Sequence, residues 1–119
     1  MRVLILLISL SLSLPVYAEF YSANQLQTHC REYSKFRDRR DHDSYDAASC
    51  RAYIVSVSDS HNTYVDWGDM SPMFCKPAKV TQGQLAAVVI KYLEANPEEL
   101  HYAAAGIVLN ALAQAFPCN

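Results

Sequence analysis

Residues 81–119 read TQGQLAAVVIKYLEANPEELHYAAAGIVLNALAQAFPCN, and this stretch decides the fold. Leu85, Val88, Val89, Tyr92 and Leu93 fall three and four apart, the spacing that gathers side chains on one face of an α-helix. Ahead of them, Thr81 and Gln84 make a capping box: the threonine side chain accepts from a free backbone N–H and the glutamine reaches back to the cap. Asn96 ends this helix and caps the next. Pro97 then stands at the first helical position, where its missing N–H costs nothing, and Glu98 and Glu99 lie in the positive first turn. Leu100, Ala103, Ala104, Ile107, Val108, Ala111, Leu112 and Ala115 form the buried stripe of this helix, and Pro117 stops it. With almost nothing between them, the two helices run antiparallel. The residues before the first and after the second therefore meet, and they are Cys75 and Cys118.

Upstream, Ser22 and Gln25 make another capping box, after which Leu26, Cys30, Tyr33 and Phe36 share a face. The run from Lys35 to Asp46, KFRDRRDHDSYD, alternates charge and reads as a solvated connection or a frayed helical end. A second helix starts near Asp46 or Ala47 and puts Cys50, Tyr53, Ile54 and Val57 on one stripe, although the β-branched Ile54, Val55 and Val57 also suit a short strand. Cys30 and Cys50 face each other across this hairpin, so the pairing Cys30–Cys50 with Cys75–Cys118 is favoured over the other two. The chain-entropy account makes these bonds worth roughly 3 and roughly 4 kcal/mol. The expected fold is all-α, a small bundle of about four helices in two antiparallel hairpins stapled by two disulfides. Asp59 through Phe74 fits neither the helical nor the strand period and reads as a long loop.

At the start of the chain, Arg2 precedes an apolar run from Val3 to Leu14, then Pro15, Val16, Tyr17 and Ala18. That is the layout of a secretory signal peptide cleaved after Ala18. The run is shorter than the about 20 residues a membrane-spanning helix needs. No cysteine follows the cleavage site, so a lipid anchor is not expected. Residues 1–18 are thus read as a leader, and 19–119 as a single secreted domain with a core small enough for disulfides to be a common supplement. Four cysteines serve that purpose, and the close C-x2-C pairs of a zinc site are absent. The formal charge of −2 becomes −3 once Arg2 leaves, which gives no basic surface for nucleic acid or anionic lipid. A protein partner is the better default.

Catalytic constellations are scarce. A thiol hydrolase needs a free cysteine beside a histidine, yet each cysteine has an expected covalent partner, and His29 diverges by about 100° from adjacent Cys30 on a helix. Asp41, His42 and Asp43, with His61, hold metal-ligand chemistry without the spacing of a closed site, and a solvated charge cluster is the simpler reading. His101 reads as a surface or hairpin-packing residue. No metal and no other cofactor is expected. Ala103 to Gly106 are small enough for close helix approach, either within the hairpin or against a second copy. The loop displays Tyr64, Trp67 and Met70 among Asp59, Asp66 and Asp69, with His61 and Asn62 beside them. Tyr, Trp and Met concentrate at interface centres, so these eight residues are the candidate partner-binding set, with burial of Trp67 in the core as the competing role.

An ordered set of motifs carries a family resemblance: C-x2-Y-I-x2-V-x-D from Cys50 to Asp59, then F-C-x-P from Phe74 to Pro77. It continues with Q-L-x3-V-x-K-Y-L-x3-P-E from Gln84 to Glu98, His101, Ala104 and F-P-C at Phe116 to Cys118. Together they resemble the Rap1a/Tai family of type VI secretion immunity proteins, with Ala52 and Ser56 standing where that family usually has glycine. The resemblance implies a helical, usually dimeric, periplasmic protein that neutralises a peptidoglycan amidase effector with a Cys/His site. Other classes compatible with the residues alone are a structural or metal-buffering envelope protein and a small hydrolase.

Overall fold

The computed structural model describes residues 20–36 and 45–119, so the expected leader and the Asp41, His42, Asp43 cluster lie outside the described residues. Four α-helices are found among those described: α1 (Ala23–Phe36), α2 (Tyr45–Asp66), α3 (Gln82–Ala95) and α4 (Ala104–Ala115). Both capping boxes form. Gln25 N–H donates to Ser22 Oγ at 3.3 Å while Ser22 N–H donates to Gln25 Oε1 at 2.9 Å. Thr81 and Gln84 make the same reciprocal pair at 3.2 and 2.8 Å. Both expected disulfides are present, Cys30–Cys50 and Cys75–Cys118.

Two elements differ from expectation. The fourth helix does not run on from Pro97. A 3-10 turn occupies Pro97–Glu99, and α4 starts only at Ala104. The carbonyls of Leu100 and Tyr102 instead accept the Asn24 and Ala23 N–H groups, both at 2.9 Å, and Ala104 N–H donates to Tyr21 O at 2.9 Å. The first turn of α1 has free donors, and this non-helical stretch satisfies them. Asn96 likewise serves the helix behind it, donating Nδ2–H to Tyr92 O at 2.8 Å, and makes no side-chain cap forward.

The second difference matters more for function. Ile54 to Val57 lies in the expected helix, which removes the strand alternative, but α2 continues beyond it through half of the expected loop, to Asp66. Ser56 and Thr63 hydroxyls donate to the carbonyls of Ala52 and Asp59 one turn back, so they do not divert the backbone from the helix. The helix ends in a Schellman motif: Asp69 N–H donates to Tyr64 O and Gly68 N–H to Val65 O, with Gly68 at φ +80°. Gly68 supplies the left-handed conformation that other residues adopt only with strain.

Leu26 of α1, Ile54 of α2, Val89 and Leu93 of α3, and Val108 and Leu112 of α4 close one core. Each such side chain contributes about 1.5–3 kcal/mol on burial. Ala103 and Ala115, expected in the stripe of α4, are exposed. No described helix is long and apolar enough to cross a membrane.

Candidate functional site

The stripe Cys50, Ile54, Ser58 and His61 turns one face of α2 into the core. At about 100° per residue, Tyr53, Val57 and Tyr64 lie to one side of that stripe, and Asp59, Asn62 and Asp66 to the other. The connection that follows, residues 67–80, folds back over the end of the helix and is tied down at several points. Met73 N–H donates to His61 Nε2 at 3.0 Å, and the His61 ring stacks on Phe74 with centroids 4.1 Å apart. Accepting at Nε2 requires that nitrogen to be unprotonated, and Nδ1 faces Asn62 Oδ1 at 3.4 Å. Lys76 Nζ donates to the buried Ser58 Oγ at 3.0 Å. Cys75 N–H donates to Phe116 O at 2.8 Å, next to the Cys75–Cys118 bond.

Between α2 and α4 this arrangement leaves an open trough of about 350 Å³, lined chiefly by Tyr53, Val57, Tyr64, Met70, Ala105 and Leu109. No Asp, Glu, Lys or Arg lines it. Tyr64 lines it and Trp67 stands against Tyr64, the two 50% and 68% exposed, ring edge to ring face at 5.7 Å. Trp67 is therefore a surface residue, not part of the core. Beyond the trough on α4, a side chain added at Gly106 would meet nothing within 4 Å, so that position is open rather than packed in the hairpin.

The eight residues singled out in the sequence thus separate. Tyr64, Trp67 and Met70 come together. Asp59 and Asp66 are exposed on the other flank of α2 with half-buried Asn62, and Asp69 is exposed in the turn. His61 is only 4% exposed and acts on the backbone of its own chain. Sequence reasoning missed Ser58 and Lys76, which hold the connection. The period linking Ser58 to Cys50 and Ile54 was the available signal.

The other histidine cluster lies at the opposite end of α2. His29 Nδ1 is 2.6 Å from Asp46 Oδ1, and the ring stacks on Tyr21 at 5.7 Å. Burial, then the neighbouring Tyr45 and Asp46, raise the Tyr21 phenol above its ordinary value. Adjacent Cys30 is bonded to Cys50, so this His/Asp pair has no thiol to activate. His101 is exposed and rests on Tyr102. Among the described residues there is no group of three or more His, Cys, Asp or Glu side chains able to hold a metal.

The sequence model of the Rap1a immunity proteins matches residues 22–118, from the cap of α1 to the last disulfide cysteine. The chain belongs to the Rap1a immunity protein family. No curated protein and no solved structure gives a significant match. Membership of the Rap1a family implies immunity to a type VI secretion effector and binding of that cognate effector. In this Rap1a protein, exposed Tyr64 and Trp67 are of the residue types enriched at binding centres.

Proposed function

We propose that the chain is a periplasmic immunity protein that binds a type VI peptidoglycan amidase and blocks its Cys/His cleft with the surface at the end of α2. The observation that carries this reading is the exposed Tyr64–Trp67 pair, held on a helix end that a Schellman turn and a pinned connection make rigid. Large aromatic side chains fixed before binding add contact area at little entropic cost. Met70 extends the apolar centre, and Asp59, Asn62, Asp66 and Asp69 flank it. An enzyme that binds the anionic cell wall gains from a basic cleft, and the three carboxylates would speed encounter with one. His61 supports this surface by holding Met73. Two disulfides suit the oxidising periplasm, which is where the leader would deliver the protein. The functional unit is a homodimer, for which open Gly106 on α4 offers a close helix approach.

Trp67→Ala tests the reading against the cognate Cys/His amidase. Calorimetry should show binding weakened by about 2 kcal/mol, roughly 30-fold, with the thermal midpoint nearly unchanged. Full affinity together with full protection of cells exposed to the amidase would move the inhibitory surface elsewhere.

A further inference from the structure

The two disulfides differ in access. Cys30 and Cys50 are 1% and 0% exposed and sit in the hydrophobic cluster, whereas Cys75 and Cys118 are both exposed. Thiol–disulfide exchange needs an approaching thiolate to reach a sulfur in line with the bond it breaks, so access decides which bond reacts. Cys118 is flanked by exposed Pro117 and Asn119, while Cys75 follows buried Phe74. What the bond holds is also distinct. Cys30–Cys50 joins α1 to α2, but Cys75–Cys118 ties the 67–80 connection to the chain leaving α4. Without it, the part of that connection beyond the helix-ending turn is held by the Met73, Lys76 and Cys75 hydrogen bonds, the buried ring of Phe74 and the partly buried Met70 and Val80.

We infer that Cys75–Cys118 is an exchange site for a dithiol oxidoreductase, and that its reduction loosens the 67–80 connection while the helices and Cys30–Cys50 stay in place. One thiolate of the dithiol attacks Cys118 Sγ, the Cys75–Cys118 bond breaks, and Cys75 leaves as a thiolate that takes a proton. The second thiolate of the dithiol attacks the mixed disulfide, closing its own disulfide and releasing Cys118, which is protonated in turn. Two electrons and two protons pass from the dithiol to the protein. The exchange does not depend on which partner the protein binds; an effect on the Tyr64–Trp67 surface would rest on the reading above.

The test uses the purified, oxidised protein without any partner. It is treated with graded dithiothreitol or reduced thioredoxin, quenched by alkylation and mapped by mass spectrometry. Cys75 and Cys118 should be labelled at least about 10-fold faster than Cys30 and Cys50, with helical circular dichroism retained. Labelling of all four together, or of Cys30 and Cys50 first, overturns the assignment. Hydrogen exchange of the singly reduced protein should rise at Met73 and Cys75 by about 10-fold or more and remain unchanged in α1 and α3. Unchanged exchange at Met73 and Cys75 overturns the loosening. The Cys75→Ser, Cys118→Ser variant should reproduce the same exchange pattern, and since the wild-type protein carries the primary measurement, the outcome does not depend on the variant folding.

Discussion

At one end of α2, Cys50 is bonded to Cys30 inside the core, and in the same part of the fold the ring of Tyr21 stacks on those of His29 and Tyr53. At the other end the chain leaves the helix for a connection whose cysteine is bonded in the open to Cys118. Loop length ranks the second bond higher, since it spans 43 residues against 20. The chain-entropy account converts these into about 4 and about 3 kcal/mol. Packing ranks them the other way, because only Cys30 and Cys50 fill core volume. The lesson is that two staples of one domain can do different things. One is part of the core, and the other fastens a surface segment to it.

Replacing Cys30 and Cys50 together by Ala should give the largest loss, about 5 kcal/mol in urea denaturation, because a cavity adds to the loop term. The matching change at Cys75 and Cys118 should cost less. A reversed order would break the comparison and return the decision to loop length. His61→Leu is next, at about 1–3 kcal/mol, since it leaves the Met73 N–H without its acceptor. Hydrogen exchange should place the damage at Met73 and Phe74, and damage spread evenly over α1 and α3 would show that the two ends are one unit. The smallest effect is alkaline and belongs to the buried end. Burial and the nearby Tyr45 and Asp46 raise the Tyr21 phenol, so the folded state holds that proton more tightly than the unfolded chain does. The resulting stabilisation is full below the ordinary phenol value of about 10 and is lost as pH rises through the higher folded value. Thermal midpoints should therefore fall less steeply above about pH 10 in Tyr21→Phe than in the wild-type protein. Parallel curves would remove Tyr21 from the account.

Caps and cysteines made most of this fold legible. Ser22 with Gln25 and Thr81 with Gln84 mark helix starts through local chemistry, and the α3–α4 hairpin fixes the disulfide pairing through chain geometry. Residues 58–63, SDSHNT, mislead because Ser, Asp and Asn favour caps and turns when only local bonding is weighed. Here Ser58 and His61 face inward and bond to Lys76 and Met73, partners 18 and 12 residues away, which no local rule sees. Gly68 was a readable C-terminal signal and would have carried the helix to Asp66. The delayed start of α4 had no signal of its own, since it depends on the unsatisfied donors of α1 finding the Leu100 and Tyr102 carbonyls. The aromatic half of the candidate site was legible by composition. Its separation from the acidic half was not, because a segment read as loop has no faces.

The continuity of α2 makes it a lever. From Cys50, clamped in the core, to Asp66 at its tip, the helix spans about 24 Å at 1.5 Å per residue. A tilt of about 5° at the clamped end would carry Tyr64 and Trp67 through about 2 Å, several times the tolerance within which a preorganised site must be held. The angle of α2 at its base is therefore part of the aim of its tip. On the proposed function, substitutions beside Cys50 that leave the protein folded would still spoil recognition a helix length away.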